Sequence, residues 1–250
     1  MFTSAFFRTP AQPGDRDGPA STHRRLLHLK EHLPVEGVLQ DQPDLLFALL
    51  EYAALTDSAL FYSLFIHHCQ TIGAIRNLCR RRDDLADVRD RLVSVEAVGA
   101  FATTEVGWGR SNYDLRTTAV YDRATHEFVL TTPDADAAKF SSGTVTGDFP
   151  RLGVVSARLE AGPDSGTAMF LVPLWDANGP CDGVRITKHA IGLGAVTDVA
   201  LWRFTSGAVG MRQGRMSRAA PGITRCRWST SSTSGRLWLG WGVVGVWGGV

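Results

Sequence analysis

The hydrophobic pattern of this chain changes its period once, in the glycine-rich stretch 99–109, which reads GAFATTEVGWG. Before that stretch, apolar residues recur every three or four positions, as in amphipathic helices. After it, for about a hundred residues, they alternate as in half-buried strands. The sequence therefore predicts an α+β fold in which helices come first and a sheet follows. Gly107 and Gly109 are expected to let the backbone approach a ligand at this junction, because they carry no Cβ.

The helical part is predicted to cover residues 23–97. The preceding lead, 1–22, is rich in proline and charge and is predicted to be disordered or loosely packed, because it cannot bury enough apolar surface to offset the entropy of ordering. The longest helix is apolar on most of its circumference and is therefore expected to be buried on several sides. A charged break at 80–84 separates it from the last helix. The predicted helices span 23–33, 45–55 and 58–79, and a last one ends near Leu92.

Residues 98–204 are predicted to form a β domain. Two alternating segments, 117–121 and 127–131, flank a polar turn and indicate a hairpin. Further strand-like segments follow at short spacing, which favours a compact antiparallel sandwich or barrel over βαβ units. These further segments are 151–160, 167–174, 183–188 and 198–204.

The composition breaks after Phe204. Residues 205–250 contain no Asp, Glu or Lys, but six Arg, ten Gly and four of the seven Trp of the chain. Neither the helical nor the strand period continues there. We therefore predict that 205–250 is not a folded domain, since its composition is more typical of an out-of-frame translation.

The charge and cysteine content narrow the choice of partners and compartment. A net charge of +1 with 20% charged residues argues against nucleic acid or an anionic membrane as partner. The apolar run 237–250 is interrupted by five glycines and is too short to cross a bilayer, so no membrane insertion is expected. The chain opens without the apolar core of a signal peptide, and its cysteines lack a C-x-x-C spacing, which favours the cytoplasm. The cysteines are Cys69, Cys79, Cys181 and Cys226.

The segment 99–122, GAFATTEVGWGRSNYDLRTTAVYD, resembles the opening of the middle domain of acyl-CoA oxidases. These are flavoproteins of the acyl-CoA dehydrogenase superfamily, in which the pattern runs GCFxxTExGHGSN…TTAxYD. Trp108 stands where the family usually has His, and Arg110-Ser111 where it has Ser-Asn. The match continues through 127–133, through Lys139 to Gly143 where the family has Lys-aromatic-x-x-Gly, and through 168–173 and 192–194.

The resemblance covers about residues 45–204 and implies a helical N-terminal domain followed by an antiparallel, barrel-like or sandwich-like middle domain. The family continues with a helical C-terminal domain, for which this chain shows no counterpart. The implied reaction is the FAD-dependent α,β-dehydrogenation of an acyl-CoA, or acyl-carrier, thioester to the trans-2-enoyl product, as in fatty-acid β-oxidation. Such enzymes are typically homo-oligomeric.

The resemblance also implies two contacts to FAD. The hydroxyl and amide of Thr104 would bond the edge of the isoalloxazine, and Gly143 would let the backbone approach the ring. Taken without the resemblance, Thr104 is an ordinary turn or edge residue.

No catalytic residue is assigned. The reaction needs a carboxylate base at Cα and donors on the thioester carbonyl, but in the family the catalytic Glu comes from the C-terminal helical region. Glu105 is therefore predicted to be a structural or solvent-facing carboxylate. Two hypotheses follow: an oxidase-like chain that lacks its base, binds FAD poorly and is inactive as it stands, or a non-catalytic remnant or partner subunit that binds flavin or acyl thioester weakly.

Other motifs are weaker. His67, His68 and Cys69 are consecutive on a predicted helix, so their side chains diverge by about 100° each and no metal site is predicted. The glycine pairs at 107/109 and 192/194 lack the third glycine of a dinucleotide fingerprint.

Overall fold

The computed structural model describes residues 18–32, 39–78, 85–107, 114–122, 127–142, 149–160, 165–189 and 199–205. Within these residues helices precede strands, and the predicted α+β class is confirmed. The predictions for 1–17, for the charged break 80–84, for most of the hairpin turn and for the tail 206–250 lie outside the described residues. Among the described helices, none combines the length and the apolar character that crossing a membrane requires.

The helical elements follow one another through short connections. They are α1 Gly18–His32, a 3₁₀ turn Leu39–Asp41, α2 Pro43–Thr56, α3 Ser58–Leu64, a π-helical segment Phe65–Ile72, α4 Gly73–Leu78 and α5 Ala86–Val93.

Helix α1 begins five residues earlier than predicted, so that 18–22 belong to a helix and not to the lead. Pro19 explains the difference, because proline has the φ of a helix and is tolerated in its first turn, where no backbone donor is lost. Asp57 joins α1 to α3. One of its carboxylate oxygens caps α3 by accepting from the Leu60 amide at 3.1 Å, and the other binds the buried guanidinium of Arg25 in α1.

The π-helical segment lies against the start of the sheet. The Thr71 hydroxyl donates to the carbonyl of Ala100 at 3.2 Å. A Cβ on Gly99 would lie 2.6 Å from the Cβ of Thr71, so glycine is what lets the two backbones approach this closely. The sequence predicted one helix over 58–79, whereas the structure divides it into α3, the π-helical segment and α4. The predicted burial is confirmed for the middle segment, where the buried residues are Ile66, His67, His68, Cys69, Thr71 and Ile72.

Among the described residues, nine strands form two sheets. The larger sheet has the order β3-β2-β5-β6-β7, with β1 also paired to β5, and the smaller has the order β4-β9-β8. The strands are β1 Val98–Ala102, β2 Thr118–Asp122, β3 Glu127–Thr131, β4 Lys139–Ser142, β5 Arg151–Glu160, β6 Gly166–Asp176, β7 Gly179–Pro180, β8 Val184–His189 and β9 Val199–Phe204.

The larger sheet is mixed, whereas the sequence predicted an antiparallel one. The β2–β3 and β5–β6 pairs are antiparallel as expected, but β1 and β2 both run parallel to β5. The reason is the length of β5, which has ten residues. One edge of it pairs with β1 at 151–155 and then with β2 at 158–160, so the two short strands lie end to end and share a direction.

The two sheets enclose an apolar core and are joined at their margins. At one margin the Thr132 amide donates to the Phe204 carbonyl at 2.8 Å. The core includes Ala100, Ala102, Phe128, Leu130, Val155, Phe170, Leu174 and Phe204. A second cluster lies between the helices and the sheets and includes Ile72, Ile75, Leu92, Leu152, Val154 and Met169. The two sheets therefore share one apolar core, and the helices pack against them.

Candidate functional site

The junction between the two sheets is the segment 103–107. It pairs with 136–140 through three backbone hydrogen bonds: the Phe140 amide to the Thr104 carbonyl at 2.9 Å, the Val106 amide to the Ala138 carbonyl at 3.0 Å, and the Gly107 amide to the Asp136 carbonyl at 2.8 Å. Glu105 and Lys139 form the antiparallel bridge between them. Because side chains alternate along extended backbone, Thr104 and Val106 point to one side and Glu105 to the other.

Gly107 lies in close contact with another segment of the same chain. A Cβ at this position would lie 2.7 Å from the Cβ of Asp136, so the absence of a side chain permits the pairing of the two backbone segments. The sequence led us to expect that Gly107 would let the backbone approach a ligand. In the structure, the backbone at Gly107 instead approaches Asp136. Gly109 lies outside the described residues.

An ion pair lies on the inner side of the junction. The ammonium of Lys139 is 2.9 Å from a carboxylate oxygen of Glu105, and both side chains are 0% exposed. The Lys139 ammonium also donates to the hydroxyl of Ser156 in β5 at 3.3 Å, and that hydroxyl donates to the Thr103 carbonyl at 3.0 Å.

The carboxylate of Glu105 accepts two further hydrogen bonds, from the amides of Arg116 and Thr117, each at 2.9 Å. The network on the inner side therefore joins four stretches of chain, which contain residues 103–105, residues 116–117, Lys139 and Ser156. Each bond to a charged group of this kind contributes about 1.5–3 kcal/mol, and the complete set of partners offsets the cost of burying both charges.

The two pKa values describe how this pair titrates. Burial by itself would raise the pKa of Glu105, but the Arg116 amide, the Lys139 charge and the Thr117 amide together hold that pKa below its ordinary value. Burial lowers the pKa of Lys139 to about 8, against the opposing effect of Glu105. At neutral pH the pair is thus ionised. Glu105 is a structural carboxylate, as one of the two predicted alternatives held, and it does not face solvent.

The outer side of the junction carries a different surface. Thr104 is half-buried and lies directly opposite Phe140 across the antiparallel pair, while Phe140 is 39% exposed and Val106 is 47% exposed. We call these three residues, Thr104, Val106 and Phe140, the Thr104 ledge. A hydroxyl beside exposed apolar surface suits a planar apolar ligand with a polar edge.

The structure places one of the two predicted flavin contacts. Thr104 lies on the ledge, whereas Gly143, one residue beyond β4, lies outside the described residues. Sequence reasoning did not assign Phe140 to the site. Side chains alternate between the two sides of each paired segment. Once Glu105 is paired with Lys139, this alternation places Phe140 opposite Thr104, and it is the signal that could have identified Phe140.

The consecutive residues His67, His68 and Cys69 are buried inside the fold. The ring of His67 is committed on both sides: Nε2–H donates to the Leu92 carbonyl at 3.0 Å, and Nδ1 accepts from the Gly99 amide at 2.9 Å. This leaves His67 no lone pair for a metal ion. Burial lowers the pKa of His67 to about 4 and raises the pKa of Cys69 to about 11.

The known proteins to which this chain is similar in sequence and structure are acyl-CoA oxidases. No family model matches the chain. It is 33% identical over 181 residues to acyl-coenzyme A oxidase 2, peroxisomal, of Arabidopsis thaliana, a match that covers 66% of this chain and 25% of that protein. The crystal structure of acyl-CoA oxidase 1 from Yarrowia lipolytica superposes with a TM-score of 0.67 and 26% identity, covering 80% of this chain and 30% of that one.

A second solved structure contains a bound cofactor. Acyl-CoA oxidase 2 of Caenorhabditis elegans, bound with FAD, ascaroside-CoA and ATP, has a TM-score of 0.62 and 22% identity to this chain, over 77% of this chain and 29% of that one. At that identity the likeness concerns the fold alone. This chain spans about a quarter of the length of the curated relatives that it matches first.

Proposed function

The chain resembles acyl-CoA oxidases in sequence and in fold, and from that premise we propose that it takes part in the FAD-dependent α,β-dehydrogenation of acyl-CoA thioesters to trans-2-enoyl-CoA. The observation that carries the proposal is the Thr104 ledge, a surface of hydroxyl and apolar groups built from two of the segments that carry the resemblance. Because the chain spans only a fraction of its relatives, the complete activity is itself part of the proposal.

The residues of the ledge fit a flavin. The Thr104 hydroxyl would donate to the polar edge of the ring, and the side chains of Val106 and Phe140 would cover apolar ring surface and exclude water from it. Gly143 is proposed as a second contact, on the resemblance alone. When bound there, FAD would supply the acceptor for the hydride that leaves Cβ of the thioester.

The buried pair below the ledge has a positioning role in this proposal. Glu105 and Lys139 hold the two backbone segments of the junction in register, so that Thr104 stays opposite Phe140. A ligand contact held by rigid backbone loses little freedom on binding.

We assign no base for the proton at Cα. The carboxylate adjacent to the ledge, that of Glu105, faces the interior and is committed to Lys139 and two backbone amides. The ledge also offers the flavin one wall. We therefore propose that the chain binds FAD weakly and does not turn over by itself. The same observation favours a second function, a partner subunit that binds flavin or acyl thioester without catalysis.

A titration of FAD fluorescence against purified chain tests the proposed site. We expect Thr104→Ala to weaken FAD binding about tenfold, since one hydrogen bond is worth about 1 kcal/mol or somewhat more. Thr104→Ser keeps the hydroxyl and should bind within about twofold of the wild type. The matched control is Thr56→Ala at the end of α2, where the hydroxyl bonds the Tyr52 carbonyl outside the sheets. Equal binding by wild type and Thr104→Ala would contradict the site.

The loaded chain then tests whether a base is absent. Saturated acyl-CoA is added without oxygen, and the flavin absorbance is followed. We expect an unchanged spectrum, whereas bleaching would show turnover and contradict both the absence of a base and the partner-subunit function.

The remaining expectations stay proposals. We propose acyl-CoA or an acyl-carrier thioester as the small-molecule partner and a homo-oligomeric state, both on the resemblance to acyl-CoA oxidases. The cysteine spacing favours the cytoplasm, although the Arabidopsis relative is named as peroxisomal. Fractionation of cells that express the tagged chain would decide the compartment.

A further inference from the structure

The last turn and a half of α1 carries three potential metal ligands on its surface. His28, Glu31 and His32 each offer one ligand atom, and these atoms all lie within 4.8 Å of one another. Glu31 and His32 are exposed and His28 is half-buried, so all three can be reached from solvent. The two imidazole rings lie next to each other, with centroids 4.0 Å apart.

The helix itself produces this convergence. The three residues are spaced i, i+3 and i+4, and side chains at these positions share one face of an α-helix. Lys30 lies on the opposite face, at about 160–200° from the histidines. It is close enough to His68 to lower the pKa of that residue, after the larger effects of burial and of His67. Lys30 thus points away from the two histidines.

A hydrogen bond orients one of the ligands. Nδ1 of His32 lies 2.9 Å from the carbonyl of His28, to which Nδ1–H donates. The proton on Nδ1 leaves the lone pair on Nε2, which is then the nitrogen of His32 available to a metal ion. Metal-binding histidines are commonly held in this way by a carbonyl bonded to the other ring nitrogen.

We propose that His28, Glu31 and His32 form a binding site for a divalent transition-metal ion, with zinc as the representative ion. Two imidazoles and one carboxylate match the preferences of zinc and its neighbours rather than those of magnesium or calcium, which take oxygen ligands. Three protein ligands leave a fourth position for water.

The separation of the ligand atoms is compatible with this chemistry. Ligands of tetrahedral zinc lie about 3.3 Å apart, given bonds of about 2.0–2.1 Å. The 4.8 Å limit in the structure therefore has to shorten by about 1.5 Å at most. Exposed side chains achieve this by small rotations about their χ angles. Binding would tie the last turn of α1 to the turn before it and so stabilise the end of the helix.

Zinc titration of the metal-stripped chain tests the proposal. Isothermal calorimetry in a buffer without chelating groups measures the affinity, and thermal unfolding with and without zinc shows whether the ion binds the folded state, since only such binding raises the melting temperature. The double variant His28→Ala/His32→Ala keeps helix propensity and removes both imidazoles. Lys30→Ala, on the opposite face of the same helix, is the matched control. Circular dichroism verifies that each variant retains its helix content.

We expect saturable zinc binding by the wild type that weakens at least tenfold in the double variant, with the zinc-dependent rise in melting temperature lost. Glu31→Gln should weaken binding severalfold, and Lys30→Ala should leave it within about twofold. Zinc held by cysteines elsewhere would persist in the double variant, so the difference between the two proteins isolates this site. Unchanged affinity in the double variant, or no saturable binding by the wild type, would overturn the proposal.

Discussion

The buried imidazole of His67 makes the stability of the fold depend on pH. Its two ring nitrogens are satisfied only in the neutral form, because Nε2–H donates to the Leu92 carbonyl while Nδ1 accepts from the Gly99 amide. A proton on Nδ1 would face that amide proton. Burial lowers the pKa from 6.5 to about 4, and the bond to Leu92 opposes this only in part. Acid should therefore destabilise the contact between the π-helical segment and β1.

The sign and size of the effect follow from linkage. In the unfolded chain His67 becomes protonated below about pH 6.5. In the folded chain it stays neutral until the pH falls to about 4. Stability is thus fully present above the unfolded pKa and is lost as pH falls towards the folded one. The shift is worth about 3 kcal/mol in full, of which about 2 kcal/mol is lost between about pH 7.5 and about pH 5.

Urea unfolding followed by circular dichroism at a series of pH values measures this loss. His67→Gln is the matched control, since its side-chain nitrogen can donate to the Leu92 carbonyl and its oxygen can accept from the Gly99 amide without titrating. We expect the free energy of unfolding of the wild type to fall by about 2 kcal/mol more than that of His67→Gln across the window. His68 is present in both proteins, and burial is the largest cause of its lowered pKa. Equal pH slopes for the two proteins would refute the reasoning.

Two further predictions concern the junction and the end of α5. Lys139→Met or Glu105→Gln should each cost about 3–5 kcal/mol, because each leaves the buried charge of the other residue unpaired. The double variant leaves no unpaired charge and should cost less than the sum, so additive losses in denaturant unfolding would contradict the pairing. Val95 is buried with a φ of 62°, a left-handed conformation that disfavours branched side chains. Val95→Gly removes one carbon more than Val95→Ala, yet it should be more stable by up to about 1 kcal/mol, because glycine adopts this φ without strain. The reverse order in thermal unfolding would argue against strain at this residue.

The order of helices and strands could be predicted because the hydrophobic period is a local property of the sequence. The opposite orientations of Thr104 and Glu105 likewise follow from the alternation of an extended segment. The spacing of His28, Glu31 and His32 is also local, and all three lie inside the first predicted helix. These features need no knowledge of which segments meet in the fold.

Features that depend on distant segments could not be predicted in the same way. The ring of His67 is held by groups 25 and 32 residues further along the chain, and Lys139 meets Glu105 across 34 residues. The parallel pairing of β1 and β2 arises from the length of a third strand, β5, whose edge they share. In each case the geometry is set by tertiary packing, which overrides what the local pattern favours.

Photo-crosslinking with an azido-substituted FAD tests the central claim, that the Thr104 ledge faces the flavin. The wild-type chain is irradiated with the reagent, with and without excess FAD, and the labelled peptides are identified by mass spectrometry. We predict labelling within 103–107 and around Phe140 that excess FAD suppresses and that Thr104→Ala reduces. The claim would be contradicted if FAD-suppressible labelling occurred only on other segments, and residues 103–107 and the region around Phe140 were not labelled.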